Sequence, residues 1–300
     1  MIKQFIKSLR EEKEGFSFAR PWRLEEKSLG VIIPILRKSR EKRDYITFAE
    51  AQDSKVEDTG QIDFVFVKNE GKEPILISRG EIFRGKTQER AAIHDHIIPP
   101  GESLRVAVRC IHQTRGIQPG SKMGYGGRTP YDVDFGSQSR TWASTSAHYT
   151  NVCSAFELNN IFTFTQSDDL VGTIDEMSEA LSEVMKKIPF LPNQVGAIFL
   201  RENKMVGMDV YNLPLSWDAV KKDVVKKEGA TFLKKDEAGM FEFKPEKGTE
   251  LIKKYLSAPF EEKEIFNRQY KITELRSDAL IGEAVEYKGK IIHLTFWQKN

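Results

Sequence analysis

Residues 80–115 read GEIFRGKTQERAAIHDHIIPPGESLRVAVRCIHQTR. Glu81, Arg84, Lys86, Gln88, Glu89, Arg90, His94, Asp95 and His96 crowd into the interval between two apolar strand candidates, ILIS at 75–78 and LRVAVRCI at 104–111. In the later strand, alternation puts Leu104, Val106, Val108 and Cys110 on one face and Arg105, Ala107, Arg109 and Ile111 on the other. Cys110 therefore points inward as a packing thiol. Long hydrogen-bonding side chains gathered between two strands mark either a solvated loop or a site. We read this stretch as a site on a sheet-rich scaffold.

Working outward, LGVIIPIL at 29–36 has the pattern of a buried strand, and a shorter candidate covers residues 45–48. FVFVKN, the turn at 69–71 and ILIS together predict a hairpin. Residues 116–136 are rich in glycine, proline and small polar residues, which predicts a long loop over the site. Lys122 and Arg128 on that loop suit an anion. A helix is expected over residues 137–160, and another between the Thr173/Glu176 capping box and Pro189. VGAIFLRENKMVGMDVY predicts a second hairpin, Ser216 caps a helix through Trp217, Val220 and Val224, and residues 249–256 are amphipathic. In the last hairpin, AVEYKGKIIHLTFW, Leu294 and Phe296 share one face while His293 and Thr295 share the other.

Strands clustered in hairpins with helices between the clusters define an α+β fold with largely antiparallel sheets. The expected organisation is one large domain over residues 16–298, with room for two lobes. Ahead of it, Ile2, Phe5, Ile6 and Leu9 at helical spacing predict an amphipathic helix over residues 2–14, ended near Gly15.

Of 300 residues, 39% are hydrophobic and 30% charged, enough apolar surface for a core and enough charge for a solvated exterior. The net charge is only +2, from 46 basic and 44 acidic residues, so no whole-molecule field favours nucleic acid or anionic lipid. No apolar run approaches the roughly 20 residues that cross a bilayer. With two cysteines and no signal-peptide core in MIKQFIKSLREEKE, a cytoplasmic location is expected.

LISRGEIFRGKTQER, the strand ending RCIHQTRG, VGAIFLRENKMVGMDVY and the terminal GKIIHLTFW together resemble the ADP-ribosylglycohydrolase- and rhodanese-phosphatase-associated protein domain. The match rests on Gly80 and Glu81, on the Gly-x-x-Gln-x-Arg group of Gly85, Gln88 and Arg90, and on Cys110 and Arg115. After the cysteine the chain departs from the family pattern, reading IHQTRGI where an acidic residue near the arginine and an aromatic after it are typical. The resemblance implies a cytoplasmic domain associated with ADP-ribose and NAD-derived metabolites, and implies no established catalytic activity.

The residue chemistry suits such a ligand. Arg90 and Arg115 can grip phosphate or carboxylate in bidentate fashion, and Gln88 can both donate to and accept from a ribose or base edge. Glu81 is the natural acceptor for ribose hydroxyls, or a general base if burial raises its pKa. Gly80 and Gly85 would let the backbone approach the ligand. Against this stands a bland alternative in which Glu81 and Arg90 form an ion pair that pins a loop. His94 and His96, two apart on one strand face, are the metal candidates, although zinc sites need three or four ligands. Three functions follow: a binder or processor of a nucleotide or sugar phosphate such as an ADP-ribose derivative, a noncatalytic scaffold or partner-binding protein, and a metal-dependent hydrolase. The sequence names no cofactor and leaves catalysis open.

Overall fold

The computed structural model describes residues 1–23, 30–86, 88–111, 116–129, 185–186, 188–201, 204–232 and 245–299. They fall into two compact units, one formed by Met1–Arg43 with Leu181–Asn300 and the other by Asp44–Ala180.

Helix α1 (Ile2–Arg10) buries Ile2, Ile6 and Leu9 and turns Lys3 and Lys7 outward. It stops at Arg10, short of the expected residue 14, because Glu12 and Glu14 adopt positive φ and Lys13 N donates back to Ser8 O. Strands β1 (Phe16–Phe18) and β2 (Gly30–Arg37) follow, paired antiparallel.

The second unit then begins with β3 (Ile46–Thr47), followed by β4 (Ser54–Asp58), β5 (Phe64–Asn69), β6 (Ile75–Ile77), β7 (Glu81–Gly85), β8 (Arg90–Ala92), β9 (His96–Ile98), β10 (Ser103–Cys110) and β11 (Lys122–Arg128). Six of them close an antiparallel barrel in the order β10-β5-β4-β11-β7-β8, and β3, β6 and β9 form a separate small sheet. Val56, Val65, Val67, Phe83, Ala92, Val106 and Val108 belong to its buried core. Closure removes the exposed edges that an open sheet would present.

Two expectations fail here. FVFVKN and ILIS do not form a hairpin, since β5 pairs with β4 and β10 while β6 joins β3 and β9. Asn69 redirects the chain at that junction: its Nδ2 donates to Glu73 O at 2.7 Å and Ile98 O at 2.8 Å, and its Oδ1 accepts from Gly71 N. The expected loop over 116–136 contains β11, which completes the barrel between β4 and β7. Two of its glycines have structural roles, one in close packing and one in backbone conformation. A Cβ on Gly126 would lie 2.7 Å from Arg84 Cβ, and Gly127 takes φ +95 where the β7–β11 register shifts. The helices expected over 137–160 and from Thr173 lie outside the described residues.

Back in the first unit, β12 (Gln194–Arg201) and β13 (Lys204–Tyr211) form the anticipated hairpin. Helix α2 (Pro214–Phe232) follows, its first position taken by a proline that needs no N–H partner there. Ser216 therefore sits inside the first turn, two residues beyond the start, and is not the cap the sequence suggested. Helix α3 (Pro245–Ser257) precedes β14 (Glu261–Asn267), β15 (Tyr270–Arg276), β16 (Leu280–Tyr287) and β17 (Lys290–Gln298). The Lys288–Gly289 turn, both residues at positive φ, fixes the last hairpin. The eight strands among the described residues of this unit form one antiparallel sheet, β1-β2-β12-β13-β17-β16-β15-β14. Ile2, Ile6 and Leu9 of α1 and Ile252 and Leu256 of α3 share one buried cluster with Ile33, Met208, Leu294 and Phe296 of the sheet. Helix α2 packs on β12 and β13 and buries Trp217, Val220, Val224 and Phe232.

The result is a sheet-rich α+β architecture.

Candidate functional site

The turn at residues 78–81 connects β6 to β7 and is held from every side. Ser78 N donates to Glu81 Oε2 and Glu81 N to Ser78 O, each at 3.0 Å. Gly80 takes φ +83, donates to Ala92 O at 2.8 Å and accepts from Thr129 N at 2.9 Å. A side chain is excluded there twice over, by the left-handed backbone and by Thr129 Oγ1, which a Cβ would approach to 2.9 Å. Arg79 N donates to Asp95 Oδ1 at 2.6 Å, and Arg128 Nη2 to Arg79 O at 2.9 Å.

Three ionisable side chains, those of Glu81, Asp95 and Arg128, thus bond to the backbone of one turn, and with Arg79 in the turn itself none of the four is more than 8% exposed. The set contains two guanidinium groups and two carboxylates. Buried charges persist only when paired and hydrogen-bonded, so the turn is either a structural network or a pre-arranged binding edge. Asp95 belongs to the polar stretch and Arg128 is the residue expected to suit an anion, whereas Arg79 is not legible as a site residue except that it adjoins the Gly-Glu pair.

Arg90 lies elsewhere in the barrel, on β8 opposite Phe83 and Cys110. Its Nη2 donates to Asp58 Oδ1 at 2.8 Å and its Nη1 to Gln61 O and Phe64 O at 2.9 and 2.7 Å. Asp58 in turn accepts from Gly60 N through Oδ1 and Gln118 N through Oδ2. Both side chains have no exposed surface. One buried ion pair therefore ties β8 and β4 to the 59–64 connection and to the segment entering β11. The anticipated pairing of Arg90 with a carboxylate is present in kind, but the carboxylate is Asp58 and Glu81 is engaged by Ser78 N. Sequence reading passed over Asp58, although it occupies the inward position two after Val56 in β4.

Gln88 is fully buried and its N–H donates to Gly116 O, while Glu89 accepts from Arg84 Nε at 3.0 Å. Gly85 lets β7 approach β11, because a Cβ there would sit 2.7 Å from Lys122 O. Arg115 lies outside the described residues. Cys110 is buried as expected, and burial pushes its thiol up to about 12, which keeps it protonated and unreactive.

Residues 93–94 form a bend and β9 starts only at His96, so His94 and His96 do not share a strand face. Burial, reinforced by His94 and opposed by Asp95, depresses His96 to about 3. No cluster of three or more metal-ligating side chains occurs among the described residues.

In the other unit, a buried pair went unnoticed in the sequence. His293 Nε2 on β17 lies 2.8 Å from Asp209 Oδ1 on β13, and neither side chain is exposed. The Tyr211 ring lies 4.4 Å from the imidazole, centroid to centroid, and Trp217 extends this aromatic contact from α2. The sheet register aligns Asp209 with Thr295, Glu283 and Glu274 across four strands, every one of them buried. The sequence had placed His293 and Thr295 on one face. An aspartate inside the apolar run VGMDVY was the clue to their partner.

The fold and the motif define a β-rich domain in which a Gly-Glu turn and a Gly-x-x-Gln-x-Arg hairpin both belong to a small closed barrel. The chain belongs to the ARG and Rhodanese-Phosphatase-superfamily-associated Protein domain family, whose model matches residues 18–297. No curated protein and no solved structure matches it significantly.

Proposed function

We propose that this chain is a binding module for an anionic, hydroxyl-rich small molecule of the ADP-ribose type, and that the ligand is taken at the 78–81 turn. The observation that carries this reading is that the side chains of Arg128, Glu81 and Asp95 bond to the backbone around Gly80, beside the buried Arg79. Guanidinium groups suit phosphate oxygens and carboxylates suit ribose hydroxyls, and the glycine brings backbone close to both. The family's association with ARG proteins supports the ligand class. Arg115 stays in the proposal on the motif alone. Gln88, Arg90 and Gly85 serve the ligand indirectly, by fixing the barrel that presents the turn. In this role Glu81 orients the ligand and performs no chemistry.

A second reading, a noncatalytic scaffold, is favoured by one specific observation. Arg90, the motif's arginine, is occupied by Asp58 and two carbonyls. Calorimetric titration of ADP-ribose, NAD and ribose 5-phosphate separates the two. A binding module gives saturable heat with ADP-ribose that is lost in Arg128→Ala, whereas a scaffold gives no heat with any of the three.

A further inference from the structure

Helix α1 leaves a groove where it runs beside the end of α3 and the start of β14, with a cavity volume of about 170 Å³. Ile6, Leu256, Phe260 and Leu275 provide an apolar floor. The rim is cationic, because Lys3, Lys7 and Arg10 recur at i, i+4 and i+7 and so fall on one side of the helix. Among the described residues Glu262 is the one carboxylate lining it.

The three cations are not equivalent. Lys3 faces Glu262 at 3.5 Å with its side chain 83% exposed, a loose pair of little strength. Arg10 reaches both Ser257 Oγ, at 3.4 Å, and Glu11 Oε1, at 3.0 Å. Lys7 lies one helical turn from each and has no ion-pair partner among the described residues. An apolar trough beside an ammonium that makes no direct ion pair, and only acts at a distance on Glu11, is complementary to an amphiphile that carries one negative charge.

We propose that this groove binds a medium-chain carboxylate, its acyl chain on the Ile6, Leu256, Phe260 and Leu275 floor and its head group at Lys7 within reach of Arg10. The size follows from the volume. A cavity of about 150 Å³ admits benzene, so this one takes about six carbons. The head group follows from charge, since Lys3, Lys7 and Arg10 outnumber Glu262 and Glu11, which disfavours an ammonium and gains nothing from an alcohol. This site is independent of the 78–81 turn and would stand if that proposal failed.

The test is an NMR-detected titration of the full chain with straight-chain carboxylates of four to ten carbons, with octanol, octylamine and phosphatidylglycerol vesicles as comparators. Saturable shifts are expected in α1 and at residues 256–262, with affinity rising about fourfold per added methylene until the groove is full and flattening thereafter. Octanol should bind at least threefold more weakly than octanoate. Lys7→Glu should abolish that preference and Lys7→Arg should keep it; Lys7 is exposed, so both variants should fold, with thermal melting as the check. Equal binding of octanol and octanoate overturns the proposal, as does an octanoate affinity unmoved by Lys7→Glu. Binding to vesicles without binding of monomeric octanoate also overturns it, in favour of general attraction to an anionic surface.

Discussion

Arg90 and Asp58 meet inside the barrel with 2.8 Å between Nη2 and Oδ1, and neither side chain touches solvent. The residue that most resembles an anion binder in the sequence has its anion built in. Breaking such a pair leaves a buried charge uncompensated, whereas replacing both members can be nearly neutral. Arg90→Ala is therefore expected to destabilise the protein by about 3–5 kcal/mol. Arg90→Met combined with Asp58→Leu should cost less than the two single losses added together, with a residual loss because Gln61 O, Phe64 O, Gly60 N and Gln118 N lose their partners. Urea unfolding of the single and double variants measures both, and equal, additive losses would contradict a coupled pair.

His96 gives the barrel unit a pH dependence of known sign. Its folded pKa is depressed from 6.5 to about 3, mainly by burial. The unfolded chain takes up a proton near 6.5 and the folded one does not, so stability is fully present above 6.5 and declines as pH falls toward about 3. His96→Gln should flatten the stability profile over that window relative to the parent chain. Chemical unfolding at a series of pH values shows the difference.

Cys110 acts at the other end of the scale. Its thiol is raised from 9.0 to about 12 by burial, so its contribution is intact below 9 and is lost as pH rises through about 12. A thiol reagent at pH 8 should modify Cys110 only after denaturation, as judged by peptide mass analysis. Rapid modification in the native state would place the thiol in an accessible environment.

Strand β11 depends on glycine at two successive positions for different reasons. Gly126 lies against the side chains of Arg84 and Ile82, and Gly127 occupies a backbone region unfavourable to other residues. Gly126→Val should cost about 1–3 kcal/mol through overpacking. Gly127→Ala should also destabilise, through backbone strain alone. Thermal melts of the two variants rank them.

Alternation made β5 and β10 legible in the sequence, because each has a face in the barrel core, whereas β12 and β13 show as apolar runs buried along nearly their whole length. β11 escaped because KMGYGGR carries few apolar side chains. Its place is set by pairing with β4 and β7, a long-range property that no local pattern encodes. The same limit applies to the charged residues. Glu81, Gln88 and Arg90 stand out by type, yet the partner of Arg90 is 32 positions away, and that of His293 is 84. Composition can show that charges concentrate in one stretch. Only the fold shows which of them neutralise one another.

The proposed ligand site is tested most directly by following backbone amide shifts while ADP-ribose is added. Saturable changes concentrated at Arg79, Gly80, Glu81, Asp95, Arg128 and Thr129 are the expected result. Saturating ADP-ribose with no shift at those amides, or with shifts confined to the other unit, would contradict the assignment.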